Sequence, residues 1–226
     1  CALEASSMGI EQGRVEAIDF DVAIFTNLTH DHLDYHGTME RYFQAKKKLF
    51  DSLKEDAIAV TNMDDPHGMA IVEDTAAKVV TYGTKEGADY QIVNYQLLKD
   101  RTRITLKISN MLYEIETNLV AKFNIYNLVA AIAALHSSGV SIEQMLPTIK
   151  SLHQIEGRME RIDEGQPFNI IVDFGHTPDG IEQVCKYASA ITPKGKRIIS
   201  ITGSAGKRDT EKRPIFGEIL DKYSDM

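Results

Sequence analysis

The stretch Val22-Ala-Ile-Phe-Thr-Asn-Leu-Thr-His-Asp-His-Leu-Asp-Tyr-His-Gly37 decides how this chain is interpreted. Its first five residues form a short, continuous run rich in β-formers, which predicts a buried strand over residues 22–26. The polar residues behind them predict a loop, and loops at the carboxyl ends of strands are where open α/β sheets place their sites. We therefore expect an α/β fold with a functional site directly after this strand.

The segment that follows, residues 38–53, is predicted to form a helix with one unusual residue on its apolar face. The apolar residues recur at helical spacings: Met39, Phe43, Phe50 and Leu53. Lys46 falls on the same face, whereas Lys47 and Lys48 fall off it. Burial of a lysine lowers its pKa and exposes a neutral amine, which can add carbon dioxide to form a carbamate, an oxygen ligand suited to Mg²⁺. The alternative is a lysine that snorkels at the edge of the apolar stripe.

The remaining pattern alternates strands and helices, with one antiparallel section at residues 89–118, where the apolar period switches to two. Before that section, strands are predicted at 57–60 and 78–82, with a helix between them at 67–76. After it, a helix at 123–138 ends at Gly139, and Ser141 with Gln144 predicts a capping box for the next helix. The alternation of strands and helices resumes after Gly157, with strands predicted at 168–174 and 197–202 and helices at 178–190 and 214–223. We place a domain boundary near residues 154–157, which gives domains 1–156 and 157–226.

The bulk composition excludes several classes of function. The chain has 226 residues, a net charge of −8 and a pI of about 5.4, so no basic surface predicts binding to nucleic acid or to a membrane. No apolar run approaches the ~20 residues that span a bilayer. The two cysteines, Cys1 and Cys185, stand in no CxxC pattern, which favours a reduced, cytoplasmic setting over a disulfide scaffold.

Three histidines and two aspartates within residues 30–36 favour a metal site, although a solvated loop with helix-capping aspartates would account for some of them. One interpretation is zinc, because His30-x-His32-x-Asp34 is similar to the HxHxDH motif of metallo-β-lactamase-type hydrolases. That motif needs a histidine where this chain has Tyr35, so a harder cation is the preferred interpretation.

Several blocks of sequence, in order along the chain, resemble the central domain of the Mur ligase family. These blocks are Glu4-Ala-Ser-Ser7, Gly13-Arg-Val15, Thr26-Asn-Leu28, Asp31-His-Leu-Asp-Tyr-His-Gly37 and Ala45-Lys46. The resemblance implies that Glu4 and His32 hold Mg²⁺ and that Lys46 is carbamylated and helps to position the metal. It also implies that Ser6, Gln12 and Arg14 contact a UDP-muramoyl peptide.

Later blocks extend the resemblance to nucleotide binding. One block, similar to an adenine-contacting FNxxN segment, is Phe123-Asn-Ile-Tyr-Asn127. Another, similar to the family's GRME…VDYAHTPDA, is Gly157-Arg-Met-Glu160 with Val172-Asp-Phe-Gly-His-Thr-Pro-Asp179. The residues that this assigns to ATP are Asn124, Asn127, Arg158, Asp173 and His176.

The last block is Gly203-Ser-Ala-Gly-Lys-Arg-Asp209, followed by Lys212-Arg-Pro214. Its GxxGK pattern is similar to that of a phosphate-binding loop. Its spacing is too short for GxxxxGK[ST], so we reject that interpretation. It is similar instead to the family's GCGGDRDxxKRP, which implies that Arg208 pairs with a carboxylate of the incoming amino acid.

The resemblance implies an ATP-dependent ligase with Mg²⁺, and the DHLDYHG run points to the branch of the family that makes UDP-N-acetylmuramoyl-tripeptide. Its substrates would be UDP-N-acetylmuramoyl-dipeptide and a free amino acid, meso-diaminopimelate or L-lysine. The expected fold is an incomplete ATPase-type central domain, with a mostly parallel sheet and an antiparallel section, then the start of a Rossmann-like C-terminal domain. We expect a monomer, and a piece of a longer protein whose ATP loop and UDP-binding domain precede Cys1, so that the piece alone is inactive. The alternatives are a related folylpolyglutamate or cyanophycin ligase, a zinc hydrolase and a regulatory nucleotide-binding module.

Overall fold

The computed structural model describes residues 1–98, 100–152, 155–204 and 210–226. Its elements, in chain order, are α1 (Ser7–Glu11), β1 (Val22–Phe25), α2 (Leu33–His36), α3 (Met39–Asp51), β2 (Ile58–Asn62), β3 (Lys78–Gly83), β4 (Tyr90–Leu97), β5 (Thr102–Ile108), β6 (Met111–Thr117), α4 (Lys122–Ser137), α5 (Ile142–Ser151), β7 (Glu160–Ile162), β8 (Ile170–Val172), α6 (Pro178–Ile191) and α7 (Lys212–Tyr223). No helix among these residues is both long enough and apolar enough to cross a membrane.

The first six strands form one sheet in the order β1-β2-β3-β4-β5-β6. β1 to β4 pair in parallel, and β4, β5 and β6 pair antiparallel. This arrangement confirms the predicted mixed sheet. Because β1, β2 and β3 run in the same direction, the loops that follow them emerge at one edge of the sheet.

Helices cover both faces of the parallel part of the sheet. Successive residues of a strand point to opposite faces, and the neighbours Ala59 and Val60 of β2 are both fully buried. Ala59 packs in the cluster that contains α3, and Val60 packs in the cluster that contains α4 and α5. Burial on both faces explains why the parallel strands are continuously apolar in the sequence.

The C-terminal residues pack partly among themselves and partly against the start of α4. β7 and β8 form an antiparallel pair, and α6 packs on α7 through Ile181, Cys185 and Phe216. Met159 and Tyr187 are buried with Val120 and Ala121, which precede α4. This apolar contact places the beginning of the C-terminal region beside the N-terminus of α4.

The helix predicted at residues 67–76 is wrong, because only a single 3₁₀ turn, Ala70–Val72, forms there. The Thr61 hydroxyl donates a 2.6 Å hydrogen bond to the Gly68 carbonyl, and the Gly68 backbone approaches β2 so closely that an added Cβ would lie 1.8 Å from the Asn62 carbonyl oxygen. This close approach ties the segment to the strand and prevents a regular helix.

The strand predicted at residues 197–202 is also wrong, although all of these residues are described. The Ile198 carbonyl accepts a hydrogen bond from the Asp225 amide and the Ser200 amide donates to the Met226 carbonyl, so the segment pairs with the residues after α7 and not with β8. The strand predicted at 168–174 is shorter than expected, and its partner β7 was not predicted. The helix at 123–138 and the Ser141–Gln144 capping box are confirmed.

Lys47 corrects the expectation that it lies off the buried face of α3. It is only 6% exposed, and its Nζ lies 2.6 Å from Asp51 and 2.7 Å from Asp74. Burial alone would lower the pKa of Lys47, but the hydrogen bonds to the two carboxylates outweigh burial and raise it. Lys47 therefore stays protonated and ties α3 to the segment after the 3₁₀ turn.

We expect Lys47→Met to lower the free energy of unfolding by about 1–2 kcal/mol, because a charge-assisted network is lost. The loss is no larger than this because the Asp51 and Asp74 side chains are 40% and 72% exposed, so water rehydrates both carboxylates once the ammonium is removed. Urea unfolding measures the change. Lys48→Met, at an exposed position of the same helix, is the matched control and should stay within about 0.5 kcal/mol of the parent.

Candidate functional site

Side chains from β2 and β3 hold the backbone of the loop that follows β1. The Tyr82 hydroxyl donates to the Phe25 carbonyl at 3.2 Å, and the Asn62 amide donates to the Thr26 carbonyl at 2.8 Å. An Asp65 carboxylate oxygen accepts from the Leu28 amide at 3.1 Å. These three anchors were not predicted, since their only signal in the sequence is polar residues near the carboxyl ends of neighbouring strands.

His32 stands at the start of α2 in the left-handed conformation, with φ at 54°. Its amide donates to an Asp31 carboxylate oxygen at 3.0 Å, and its Nε2 lies 3.4 Å from the other oxygen of the same carboxylate. A non-glycine residue in this conformation carries backbone strain, which the Asp31 contacts offset. The imidazole is about one-third exposed and accessible from the carboxyl-end edge of the sheet.

Tyr42, on the first turns of α3, contacts three residues of the site. The Lys46 Nζ lies 5.2 Å from the centre of its ring, the His36 ring stacks on it at 5.3 Å, and the His32 ring meets it edge-on at 5.9 Å. The faces of an aromatic ring attract cations, so this ring stabilises a positive charge on Lys46. Tyr42 was not singled out in the sequence.

Lys46 is partly buried on α3, as its place on the apolar face led us to expect. Burial lowers the pKa of its amine below the ordinary 10.5, while the Glu4 and Asp31 carboxylates raise it and offset part of that effect. The structure brings Lys46 and one predicted metal ligand, His32, to the same Tyr42 ring.

His36 is buried between α1 and α3. Its Nε2 lies 2.9 Å from the Ser7 hydroxyl, and its Nδ1 lies 3.4 Å from a Glu11 carboxylate oxygen. Burial is the main influence on His36 and lowers its pKa, so the ring is neutral at pH 7. The Glu11 carboxylate favours the proton on Nδ1, and Nε2 then accepts the hydrogen bond from Ser7.

The residues predicted to contact a peptide substrate lie around α1, and all three are exposed: Ser6, Gln12 and Arg14. Ser6 caps the helix by accepting from the Gly9 amide at 3.1 Å, and the Gln12 side chain donates to the Tyr35 hydroxyl at 3.4 Å. The segment therefore has a fixed backbone and presents polar side chains to solvent.

The two asparagines predicted to contact a nucleotide differ in exposure. Asn124 is 7% exposed and donates to the Val120 carbonyl at 2.8 Å, so it stabilises the first turn of α4. Asn127 is exposed and its side chain donates to the Asn124 side chain at 3.4 Å. Of the two, Asn127 is the one available to a ligand.

Asp64 ties the start of α4 to the end of β3. One of its carboxylate oxygens accepts from the Tyr126 hydroxyl at 2.7 Å and from the amide and hydroxyl of Thr84 at 2.6 and 2.7 Å, and the other accepts from the Lys85 amide at 3.1 Å. Partial burial alone would raise the pKa of Asp64, but these hydrogen bonds outweigh it and lower the pKa below the ordinary 3.8. The network fixes the turn of helix that carries Asn124 and Asn127.

A lowered pKa means that Asp64 contributes stability above pH 3.8, and that this contribution is lost as the pH falls through its depressed pKa. We expect Asp64→Asn to destabilise the fold by about 1–2 kcal/mol at pH 7, because an amide cannot accept all four hydrogen bonds. The difference from the parent should shrink as the pH falls below 3.8. Thermal unfolding of both proteins between pH 7 and pH 3 measures it, and a constant difference across that range would contradict the assignment.

Of the three described residues of the C-terminal region that were predicted to contact ATP, one, His176, touches the loop after β1. The His176 Nε2 lies 3.7 Å from an Asp31 carboxylate oxygen, so Asp31 lies between His176 and His32. Arg158 lies over the Phe174 ring at 5.3 Å. Both Asp173 oxygens accept backbone amides, from Met159 at 2.8 Å and from Gly175 at 2.7 Å, so this carboxylate shapes the turn. Arg208 lies outside the described residues.

A cavity of about 950 Å³ lies between β8, α6 and the segment at 197–202. Asp173 lines it, but among the described residues Glu4, His32 and Lys46 do not. This cavity and the predicted metal ligands are therefore in different places.

The donor set discriminates between the two metal interpretations. Within the described parts of the chain, no three His, Cys, Asp or Glu side chains are placed to share a metal ion. This speaks against a zinc centre built from His30, His32 and Asp34. A set of one carboxylate, one imidazole and one carbamylated lysine fits a hard cation, because the carbamate replaces an ammonium with oxygen donors.

Comparison with known proteins identifies the family. The Mur ligase middle domain matches residues 1–135, and the Mur ligase glutamate ligase domain matches residues 157–226. The chain belongs to the Mur ligase family.

Similar curated proteins are UDP-N-acetylmuramoyl-L-alanyl-D-glutamate–2,6-diaminopimelate ligases. That of Halalkalibacterium halodurans is 40% identical over 227 residues, 99% of this chain and 46% of the relative. That of Bacillus cereus is 42% identical over 228 residues, 98% of this chain and 46% of the relative. The chain thus spans about half the length of the curated relatives it matches.

Solved structures agree with this fold. A structure of a 2,6-diaminopimelate ligase of the same name is 33% identical, with a TM-score of 0.73, and the match covers 98% of this chain and 46% of that one. The MurF ligase of Thermotoga maritima in complex with ADP is 22% identical, with a TM-score of 0.72, over 95% of this chain and 49% of that one. The second likeness is evidence for the fold alone.

Proposed function

We propose that this chain is part of an ATP-dependent ligase that joins an amino acid to UDP-N-acetylmuramoyl-L-alanyl-D-glutamate in peptidoglycan biosynthesis. The observation that carries the proposal is the partly buried Lys46 amine, which lies over the Tyr42 ring that His32 meets edge-on, with Asp31 in contact with His32. The curated relatives are 2,6-diaminopimelate ligases, which favours 2,6-diaminopimelate over L-lysine as the amino acid.

In this proposal the chain has two domains, residues 1–156 and 157–226. The six-stranded sheet with α1 to α5 belongs to the first, and β7, β8, α6 and α7 belong to the second. The boundary is supported by the second family match, which begins at residue 157.

Glu4, His32 and carbamylated Lys46 would hold Mg²⁺, which supplies positive charge that neutralises the phosphate oxygens of ATP. The Lys46 amine in its neutral form adds carbon dioxide, forming an N–C bond and releasing one proton, and the product is an anion. Burial favours the neutral amine that this reaction needs. Lys47 remains protonated between its two carboxylates, so it does not compete for the same modification.

The substrates would meet at the carboxyl-end edge of the sheet. Ser6, Gln12 and Arg14 would contact the UDP-muramoyl peptide, and Arg208 would pair with a carboxylate of the incoming amino acid. Asn124, Asn127, Arg158, Asp173 and His176 would contact ATP. Exposure favours Asn127 as a direct contact and gives Asn124 a supporting role.

The reaction has two steps. A carboxylate of the UDP-peptide attacks the γ-phosphate of ATP, forming an acyl phosphate and releasing ADP. The amino group of the amino acid then attacks the acyl carbon, forming the amide, releasing phosphate and losing a proton. An acyl phosphate hydrolyses readily, so the site must exclude water. The contact of His176 with Asp31 supports a role for closure of the second domain over the first.

A monomeric, cytoplasmic enzyme that binds neither nucleic acid nor membrane fits this proposal. The acidic net charge of −8 supports the absence of a nucleic-acid partner.

We expect Lys46→Ala in the full-length protein to reduce ligation by about a hundredfold or more, because the carbamate that would help to hold Mg²⁺ beside the phosphate oxygens cannot form. Phosphate release and formation of the UDP-tripeptide measure the effect. Intact mass spectrometry of the parent should show the added mass of one carbon dioxide, and Lys46→Ala should lack it.

Lys48→Ala is the matched control for this experiment, because Lys48 lies two residues after Lys46 on the same helix and is exposed. It should keep the activity, the thermal stability and the carbon dioxide adduct of the parent. Near-normal turnover by Lys46→Ala would refute the assignment of Lys46, and a parent protein without ligase activity would refute the proposed function.

A further inference from the structure

His36 is a buried, polar residue that the proposed chemistry leaves without a role. It is 4% exposed and ends α2, directly before Gly37, whose φ of 75° turns the chain towards α3. Burying an imidazole without partners is unfavourable, and an apolar side chain would fill the same space without that cost. The partners of His36 therefore indicate what the residue does.

The first partner of His36 lies in the segment that would contact the UDP-peptide. Its Nε2 is 2.9 Å from the Ser7 hydroxyl, and Ser7 is 1% exposed. Ser7 is the first residue of α1 and follows Ser6, the N-cap of that helix. A hydrogen bond excluded from water at this point fixes where α1 begins, and with it the position of the Ser6 side chain.

The second partner of His36 lies on the helix that carries Lys46. The His36 and Tyr42 rings stack with their centres 5.3 Å apart and their planes 22° apart. The same Tyr42 ring lies 5.2 Å from the Lys46 Nζ. His36 thus joins α1 to α3 through a hydrogen bond on one side and an aromatic contact on the other.

We propose that His36 is a positioning residue that holds the peptide-binding segment Ser6–Arg14 in register with Lys46, acting through Ser7 and Tyr42. The inference rests on the proposed function, since it assigns that segment to the UDP-peptide. Loss of the hydrogen bond to Ser7 should weaken binding of the UDP-peptide and leave binding of ATP unchanged. The side chains proposed to contact ATP lie on α4 and in the second domain, whereas the contacts of His36 are with α1 and α3.

Two single variants and their combination in the full-length protein test this coupling. His36→Phe keeps a ring to stack on Tyr42 and removes the hydrogen bond, and Ser7→Ala removes the same hydrogen bond from the other side. We expect each to raise the KM for UDP-N-acetylmuramoyl-L-alanyl-D-glutamate about tenfold, the loss of roughly one buried hydrogen bond, with kcat and the KM for ATP within about twofold of the parent. The double variant should be no worse than His36→Phe, because both substitutions remove the hydrogen bond between Ser7 and His36, and His36→Phe alone also removes the contact with Glu11.

Calorimetric titration of the UDP-peptide without ATP should show the same tenfold loss of affinity, which makes the result independent of turnover. His136→Phe is the matched control. His136 also contacts a tyrosine, with its Nδ1 2.8 Å from the Tyr90 hydroxyl, but it lies in the last turn of α4, away from α1. This variant should leave both KM values unchanged.

Three results would overturn the proposal: an unchanged KM for the UDP-peptide in both single variants, an equal rise in the KM for ATP, or effects that add in the double variant. Each of these three results can be obtained only if the parent protein ligates, so none of them contradicts the proposed function. A parent that neither binds the UDP-peptide nor ligates would instead overturn the proposed function. Circular dichroism melting identifies a variant that unfolds, and Ser7→Ala, the smaller change, then decides the outcome.

Discussion

Parallel pairing of β1, β2 and β3 is the constraint on which the rest of the site depends. Because these strands share a direction, their carboxyl ends meet at one edge, and the end of each strand lies within reach of its neighbour's loop. The Asn62 and Tyr82 side chains accordingly donate hydrogen bonds to the backbone carbonyls of Thr26 and Phe25. The loop that carries His32 is therefore held at its base by two other strands, and a strained conformation at His32 is tolerated because the surrounding structure fixes it.

Burial and nearby charge shift the pKa values of two adjacent lysines on α3 in opposite directions. Lys46 is partly buried, with its Nζ 5.2 Å from the centre of the Tyr42 ring, and burial outweighs the attraction of the Glu4 and Asp31 carboxylates, so its pKa falls. Lys47 has two carboxylates within 2.7 Å, so its partners prevail and its pKa rises. In the proposed function the Lys46 amine reacts with carbon dioxide, and the contacts of Lys47 fix the helix that presents it.

The contact between the two regions of the chain joins residues that belong to different motifs. Asp31 lies between His32 and His176, and the apolar cluster of Val120, Ala121, Met159 and Tyr187 lies beside the start of α4. A polar contact at the site and an apolar contact behind it together set the approach of the C-terminal region. Such an arrangement suits the proposed reaction, whose acyl phosphate intermediate must be kept from water.

The sequence by itself determined the fold class, the mixed sheet, most helices and the family, because these depend on local periodicity and on ordered motifs. It also placed Lys46 on the apolar face of α3, where the structure has it partly buried, but helical spacing left open whether this lysine is buried or snorkels at the edge of the stripe. Only the tertiary structure decided that Lys47 is buried between Asp51 and Asp74, that His36 binds Ser7, and that Asn62 and Asp65 hold the loop after β1. Partners far apart in the chain leave no periodic signal. The predicted helix at 67–76 and strand at 197–202 failed for the same physical reason: close packing against β2 and pairing with the residues after α7 overrode local preference.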